Sequence, residues 1–137
     1  TVPIGKAIVR REGKDLTILS YAAMAHTSLE AAAQLAKEGI DAEMIDLRTL
    51  APLDRETILA SVKKTNKLLI VHEDTRIGGI AGEIAAIVCE SAFEDLDGPV
   101  MRVTGLDTPV PYAPPLEERF LPSTEKIVAA ARELAQY

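Results

Sequence analysis

Two histidines, one cysteine and a run of glycines are the residues of this sequence best suited to chemistry. His72 closes the apolar run Lys67 to His72 (KLLIVH) and is followed by Glu73 and Asp74. An imidazole beside a carboxylate is a common pairing for general acid–base work. The carboxyl end of a parallel strand is also where open α/β sheets place their sites. Consecutive strand residues, however, point to opposite faces. His72 and Glu73 therefore do not converge, and His72 reads as a structural histidine hydrogen-bonded at a strand end. His26 stands just before a helix start. No set of further ligands assembles around either histidine into a metal site, and no serine occupies a nucleophile-elbow sequence. Cys89, within Ile87-Val88-Cys89, reads as a buried small hydrophobe. A lone cysteine excludes an internal disulfide and fits a reducing compartment.

The glycines form the segment Gly78-Gly79-Ile80-Ala81-Gly82, ahead of a helical pattern. Amides at a helix start can bind phosphate. The dinucleotide fingerprint needs its glycines directly after a strand in G-x-G-x-x-G spacing. Here Glu73-Asp74-Thr75-Arg76-Ile77 intervenes and the spacing differs. Two acids beside the segment also oppose an anion. Close packing is the preferred reading: Gly78, Gly79 and Gly82 let a helix start approach another backbone, across a subunit interface. The competing reading is an autonomous small-molecule or anion-binding regulatory domain built on this helix start.

Five runs have strand length: Lys6 to Arg10, Asp15 to Tyr21, Ala42 to Leu47, Lys67 to His72 and Pro99 to Val103. Helical patterns alternate with them. Thr27 to Lys37 opens on a capping box, Thr27 with Glu30, and closes at Gly39. Asp54 to Lys64 has Asp54 as N-cap and lysines in its last turn. Ile80 to Phe93 carries Ile80, Ile84, Ile87 and Val88 as an apolar stripe, and Ser123 to Ala135 carries Ile127, Val128, Ala131 and Leu134. Alternating strands and helices predict an α/β fold: a three-layer α/β/α sandwich around a five-stranded, mostly parallel sheet. Only Glu12-Gly13-Lys14 joins the first two strands, too few residues for a crossover. That predicts a hairpin, with the first strand as the one antiparallel edge. The stretch 105–123, GLDTPVPYAPPLEERFLPS, holds five of the chain's eight prolines. Proline excludes helix interiors and central strands, so this stretch reads as a stiff loop anchored by Phe120 and Leu121.

The chain has 137 residues, which fits one domain with a real core, residues 1–137. A net charge of −6 argues against nucleic acid and membrane surfaces, both of which favour basic patches, and leaves open a basic protein partner. No apolar run reaches the roughly 18 residues of a membrane span. No signal peptide is evident. A start at Thr1-Val2-Pro3 suggests a processed chain or part of a longer one.

Five strings occur in order: DLRTLAPLD (46–54), SVKKTNKLLIVHED (61–74), GGIAGEIAA (78–86), GPVMRVTGLDTPVPYAPPLE (98–117) and LPSTEKIVAAA (121–131). Together they resemble the C-terminal domain of the β subunit of the thiamine diphosphate-dependent 2-oxo acid dehydrogenases, of pyruvate or branched-chain type. The likeness covers essentially the whole chain. It implies a parent enzyme that decarboxylates 2-oxo acids with thiamine diphosphate and magnesium, bound outside this domain. It implies that the domain alone is inactive and contributes no catalytic, cofactor or metal residue. It implies assembly with a second β subunit and an α subunit, and docking of the acyltransferase's peripheral subunit-binding domain. Residues Glu94, Asp95 and Asp97 and the terminal carboxylate of Tyr137 are the implied docking groups. Gly78, Gly79 and Gly82, with Tyr112 and Phe120 packing the proline loop, are the implied subunit-interface residues. The implied location is the bacterial cytoplasm or the mitochondrial matrix.

Overall fold

The computed structural model describes all of residues 1–137. Five strands are formed: β1 (Ile8–Arg11), β2 (Leu16–Ser20), β3 (Ala42–Asp46), β4 (Leu68–Thr75) and β5 (Met101–Gly105). Between and after them run α1 (Ala23–Lys37), α2 (Arg55–Thr65), α3 (Ile80–Ala92), α4 (Pro114–Phe120) and α5 (Thr124–Ala135). The sheet order is β1-β3-β2-β4-β5. β2, β3, β4 and β5 pair in parallel, and β1 alone is antiparallel.

Two apolar layers sandwich this sheet. On one face Leu16, Ile18, Met44, Leu69 and Val71 meet Leu35 of α1 and Ile127, Val128 and Leu134 of α5. On the other Leu19, Ile45, Leu68 and Ile70 meet Ile58 and Val62 of α2 and Ile84 and Val88 of α3. β2 and β3 are buried at every position, as strands covered on both faces must be. Each fully buried Leu or Ile contributes roughly 1.5–3 kcal/mol, so these two layers carry the fold. A polar strip pins α2 to the sheet within the second layer. Thr17 Oγ1 lies 2.7 Å from both Ser61 Oγ and Thr65 Oγ1, and Ser61 donates to Glu43 at 2.7 Å. Lys64 bridges Glu43 and Glu12 and is held firmly protonated by its hydrogen bonds to those two acids.

The first strand is an antiparallel edge, as expected, but the hairpin is not formed. β1 pairs with β3, Ile8 opposite Asp46 and Val9 opposite Ile45. The chain then crosses two strand spacings, roughly 9.6 Å, to reach β2 beyond β3. Gly13 makes that crossing possible. A Cβ there would collide with the backbone of Ala42 and Glu43. Lys14 and Asp15 both donate to the Asp41 carbonyl as the chain passes.

Three further expectations are corrected. α1 begins at Ala23, a turn before the Thr27–Glu30 pattern, so that pattern lies inside the helix and caps nothing. β4 runs on through Glu73 and Asp74 to Thr75 instead of ending at His72. The proline stretch contains α4, with Pro114 and Pro115 in its first turn, where the missing N–H has no intrahelical partner to lose. Other local signals hold. Asp54 caps α2 by accepting from Thr57 N at 3.2 Å, and Ser123 caps α5 by accepting from Lys126 N at 3.2 Å. Past α1, Gly39 (φ +83°) donates to Ala36 and Ile40 to Leu35, the paired bonds of a Schellman close.

β2 enters α1 through Ala22, with φ 53° and ψ −138°. An L side chain in such a region costs about 1–3 kcal/mol. Glycine there relieves the strain while raising the entropy of the unfolded chain, which offsets about 0.4–1 kcal/mol. Ala22→Gly is therefore expected to stabilise the fold by about 1 kcal/mol, read as a higher urea midpoint with an unchanged slope. A lower midpoint would mean that Ala22 is unstrained.

Candidate docking groove

His72 lies wholly buried in β4. Its Nδ1 is 3.1 Å from the carbonyl oxygen of Asp74, which fixes the proton on that nitrogen, while Nε2 is buried without a partner. Burial pushes its pKa below the ordinary 6.5, and Arg102 adds to this, against the opposing pull of the Asp74 carbonyl and carboxylate. Glu73 is exposed, and no carboxylate reaches the ring. His72 and Glu73 are thus not brought together for acid–base work. No three His, Cys, Asp or Glu side chains are grouped to hold a metal ion.

The glycine segment divides into two roles. Gly79 is buried as the N-cap of α3 and sits on the imidazole: a Cβ there would lie 2.6 Å from His72 Cε1 and collide with the Thr75 carbonyl. The helix start is therefore closed down on β4. Asp107 Oδ1 accepts from Ile77 N at 2.9 Å in the loop that leads to the helix, and Glu83 adds negative charge in its first turn. Gly78 and Gly82 have open space where a side chain would be. Phe120 is buried as expected, whereas Tyr112 is fully exposed and packs nothing. Gly105 lets β5 close on β4 beside Phe120: a Cβ there would collide with the Glu73 carbonyl and lie 3.1 Å from the Phe120 ring.

Gly82 opens onto a groove of about 850 Å³ between α3 and the segment leading into β5. Ala85, Cys89, Phe93, Pro99 and Val100 form its apolar wall, and Phe93 is 67% exposed. Cys89 is therefore exposed rather than buried. The charged groups of the groove are Glu94 and Asp97 past the end of α3 and Arg102 of β5. Beside it Gly98 lies against the terminal residue, its missing Cβ 3.0 Å from Cβ of Tyr137. Asp97 and Tyr137, forty positions apart in the sequence, are thus neighbours across Gly98. Asp95 is half-buried, its carbonyl accepting from Asn66 Nδ2 at 2.8 Å, which leaves Glu94 and Asp97 as the projecting acids. Sequence reasoning missed Phe93 and Arg102. A lone exposed aromatic and a lone strand arginine carry no local signal, and only the open flank of α3 brings them together.

Residues 5–127 match the family described as the transketolase C-terminal domain. The chain is 48% identical to the 2-oxoisovalerate dehydrogenase subunit beta of Bacillus subtilis, over 99% of this chain and 42% of the relative. It is 51% identical to the mitochondrial pyruvate dehydrogenase E1 component subunit beta of Dictyostelium discoideum, over 98% of this chain and 38% of the relative. It is 46% identical to the acetoin:2,6-dichlorophenolindophenol oxidoreductase subunit beta of Bacillus subtilis, over 98% of this chain and 39% of the relative. The chain thus spans about two fifths of the length of these curated relatives. Among solved structures it is similar to a split-gene transketolase described as an inactive beta4 tetramer. The TM-score is 0.84 and the identity 31%, over 96% of this chain and 42% of that one.

The two glycines should respond oppositely to the same substitution. Gly79→Ala drives a methyl into backbone and ring, and overpacking of this kind costs roughly 1–3 kcal/mol. Gly82→Ala meets open space inside a helix, where alanine is favoured by about 0.8–1 kcal/mol. Urea unfolding of both should lower one midpoint and raise the other; equal effects would contradict the contact between Gly79 and His72. The histidine has its own signature. The folded state takes up a proton on His72 less readily than the unfolded chain, so its contribution is complete above about pH 6.5 and drains away as the pH falls below that value. Between about pH 8 and pH 5.5 the wild-type chain should lose more stability than His72→Asn, and parallel pH profiles would show that the ring protonates freely.

Proposed function

The chain belongs to the transketolase C-terminal domain family, and from that membership we propose that it is the assembly and docking domain of a 2-oxo acid dehydrogenase β subunit. Identities of 46–51% to dehydrogenase and oxidoreductase β subunits, against 31% to the transketolase chain, support the dehydrogenase side of the family. In this reading the parent enzyme decarboxylates a 2-oxo acid oxidatively, and this domain holds a second β subunit and an α subunit in place. Thiamine diphosphate and magnesium belong to the remainder of that enzyme. The residues present do not fit them, since no three His, Cys, Asp or Glu side chains gather for a metal and a carboxylate, Glu83, stands in the first turn of α3.

The observation that carries the docking half is the meeting of Asp97 and Tyr137 across Gly98, beside an apolar groove. An exposed acid next to an exposed aromatic suits a basic partner: the charge steers the encounter and the ring supplies buried area. The partner proposed is the peripheral subunit-binding domain of the acyltransferase, met by Asp97 and Tyr137 with Glu94 and Asp95 around them. Gly78 and Gly82 remain the proposed glycines of the subunit interface, with Tyr112 on its outer loop. Gly79 and Phe120 shape that surface from within. No helix is long and apolar enough to cross a membrane.

Binding of the enzyme's own peripheral subunit-binding domain to the dimeric β subunit should test this. Loss of one well-placed charge partner costs on the order of 2 kcal/mol, so Asp97→Asn should weaken binding about thirtyfold at low salt and less at high salt, where screening shortens to about 8 Å. Tyr137→Ala should weaken it at both salts. If both variants bind as the wild type does, the acidic segment is only a solvated face.

A further inference from the structure

His72 sits at a break in the β4–β5 ladder. Val71 pairs with Val103 and Thr75 with Gly105, so His72, Glu73 and Asp74 stand opposite Thr104 alone. A bulge of this kind bends its strand and frees it locally from the ladder. The imidazole fastens the bulge from within, its Nδ1–H donating to the Asp74 carbonyl at 3.1 Å. That bond leaves Nε2 as the lone-pair nitrogen, buried and without a partner.

The start of α3 closes over this nitrogen. Gly79 presents no side chain to the ring, and a Cβ there would stand 2.8 Å from Nε2. The positive end of the α3 dipole therefore lies over the imidazole. A second proton, on Nε2, would be a buried donor with no acceptor beside that positive end, a costly arrangement. The charged and titratable groups around the ring are few. They are Asp74 and the exposed Glu73 on β4, Arg102 on β5, Arg76 in the loop that leads to α3 and Glu83 in the first turn of α3. Tyr21, just past β2, has its ring centroid 6.3 Å from the imidazole, and burial with Asp74 and Glu73 pushes its pKa up, so it stays neutral. Asp74 favours a charged imidazole and Arg102 opposes one, and burial outweighs the pull of Asp74.

The closure has one natural hinge. Gly78 joins the loop to the helix with φ +79° and open space around it. Beneath it the bulge is not tied to β5. We propose that His72 is a proton-sensitive latch for α3: neutral, it is sealed beneath Gly79; protonated, it releases the first turn of the helix, which lifts about Gly78 and admits water to Nε2. Gly82, Ala85 and Cys89 of the same helix line the groove, so acid loosens the groove wall before the whole fold gives way. The latch itself does not depend on what the groove binds.

The closed state takes up the proton less readily than an open ring of ordinary pKa 6.5. Opening is therefore level above about pH 6.5 and gains about tenfold per pH unit below it, one proton being taken up per opening. Amide hydrogen exchange of the 137-residue chain, with the His72 ring followed by NMR, tests this. Protection factors, each taken relative to the intrinsic rate at its pH, should fall about tenfold for Gly82 to Ile87 between about pH 6.5 and pH 5.5, and stay level in α1 and α5. His72→Asn cannot take up the proton and should hold the protection of α3 level. Gly79→Ala props the closure open and should lower the protection of α3 at neutral pH, without acid. Protection of α3 that stays level in the wild-type chain overturns the latch whatever the ring does, and so does an equal acid-dependent loss in His72→Asn. If neither variant folds, the wild-type chain still decides: losses as large in α1 and α5 as in α3 mean global unfolding and sink the latch. None of these results bears on docking at Asp97 and Tyr137.

Discussion

No side chain separates the start of α3 from the ring of His72, and much of the molecule is organised around that contact. Gly79 brings the helix axis down onto β4, which fixes where α3 lies over the sheet. With α3 so placed, Ile84 and Val88 reach the core while Gly82, Ala85 and Cys89 are turned outward. A larger residue at Gly79 would lift the helix, thinning one apolar layer and reshaping the groove together. The same contact accounts for the state of the histidine. An imidazole sealed by a helix start is more easily kept neutral than charged, because it is desolvated and faces the positive end of a helix dipole.

The layers were legible because the physics behind them is local. Continuous apolar runs marked the strands covered on both faces, and Asp54, Ser123 and Gly39 marked helix ends by satisfying particular backbone groups. What sequence reasoning misjudged depends on neighbours. The length of the Glu12–Lys14 link limits how far the chain can travel but not which strand it passes, and Gly13 allowed it to pass β3. The Thr27–Glu30 spacing matched a cap that the chain does not use, since the strained turn at Ala22 had already started α1. Apolar character ended at His72 while the strand did not, because pairing with β5 resumes opposite Thr75. The groove was the least legible part. It exists because nothing in the chain covers one flank of α3, and a helical stripe reports the buried face only.

Charge is distributed with the same division between inside and outside. Ion pairs such as Lys64 with Glu43 and Arg11 with Asp41 are spent on fastening the chain to itself. The charges that remain unpaired around the groove are held in set places by backbone contacts: Arg102 through the Arg76 carbonyl, and Asp97 through its amide to the Asn66 carbonyl. Holding a charged group in place before a partner arrives removes part of the ordering cost of association. An acidic chain whose unpaired charges are held in place in this way is well suited to recognition.

The sheet ends on two open sides, and both carry guanidinium groups. β1 presents Arg10 and Arg11, and β5 presents Arg102 beside Arg76. Any further strand added at either side would have to strip water from these groups, a cost that natural sheets exploit to stop open-ended growth. The outermost strands therefore act as terminators. The sheet is confined to five strands, and fibre-like stacking is disfavoured.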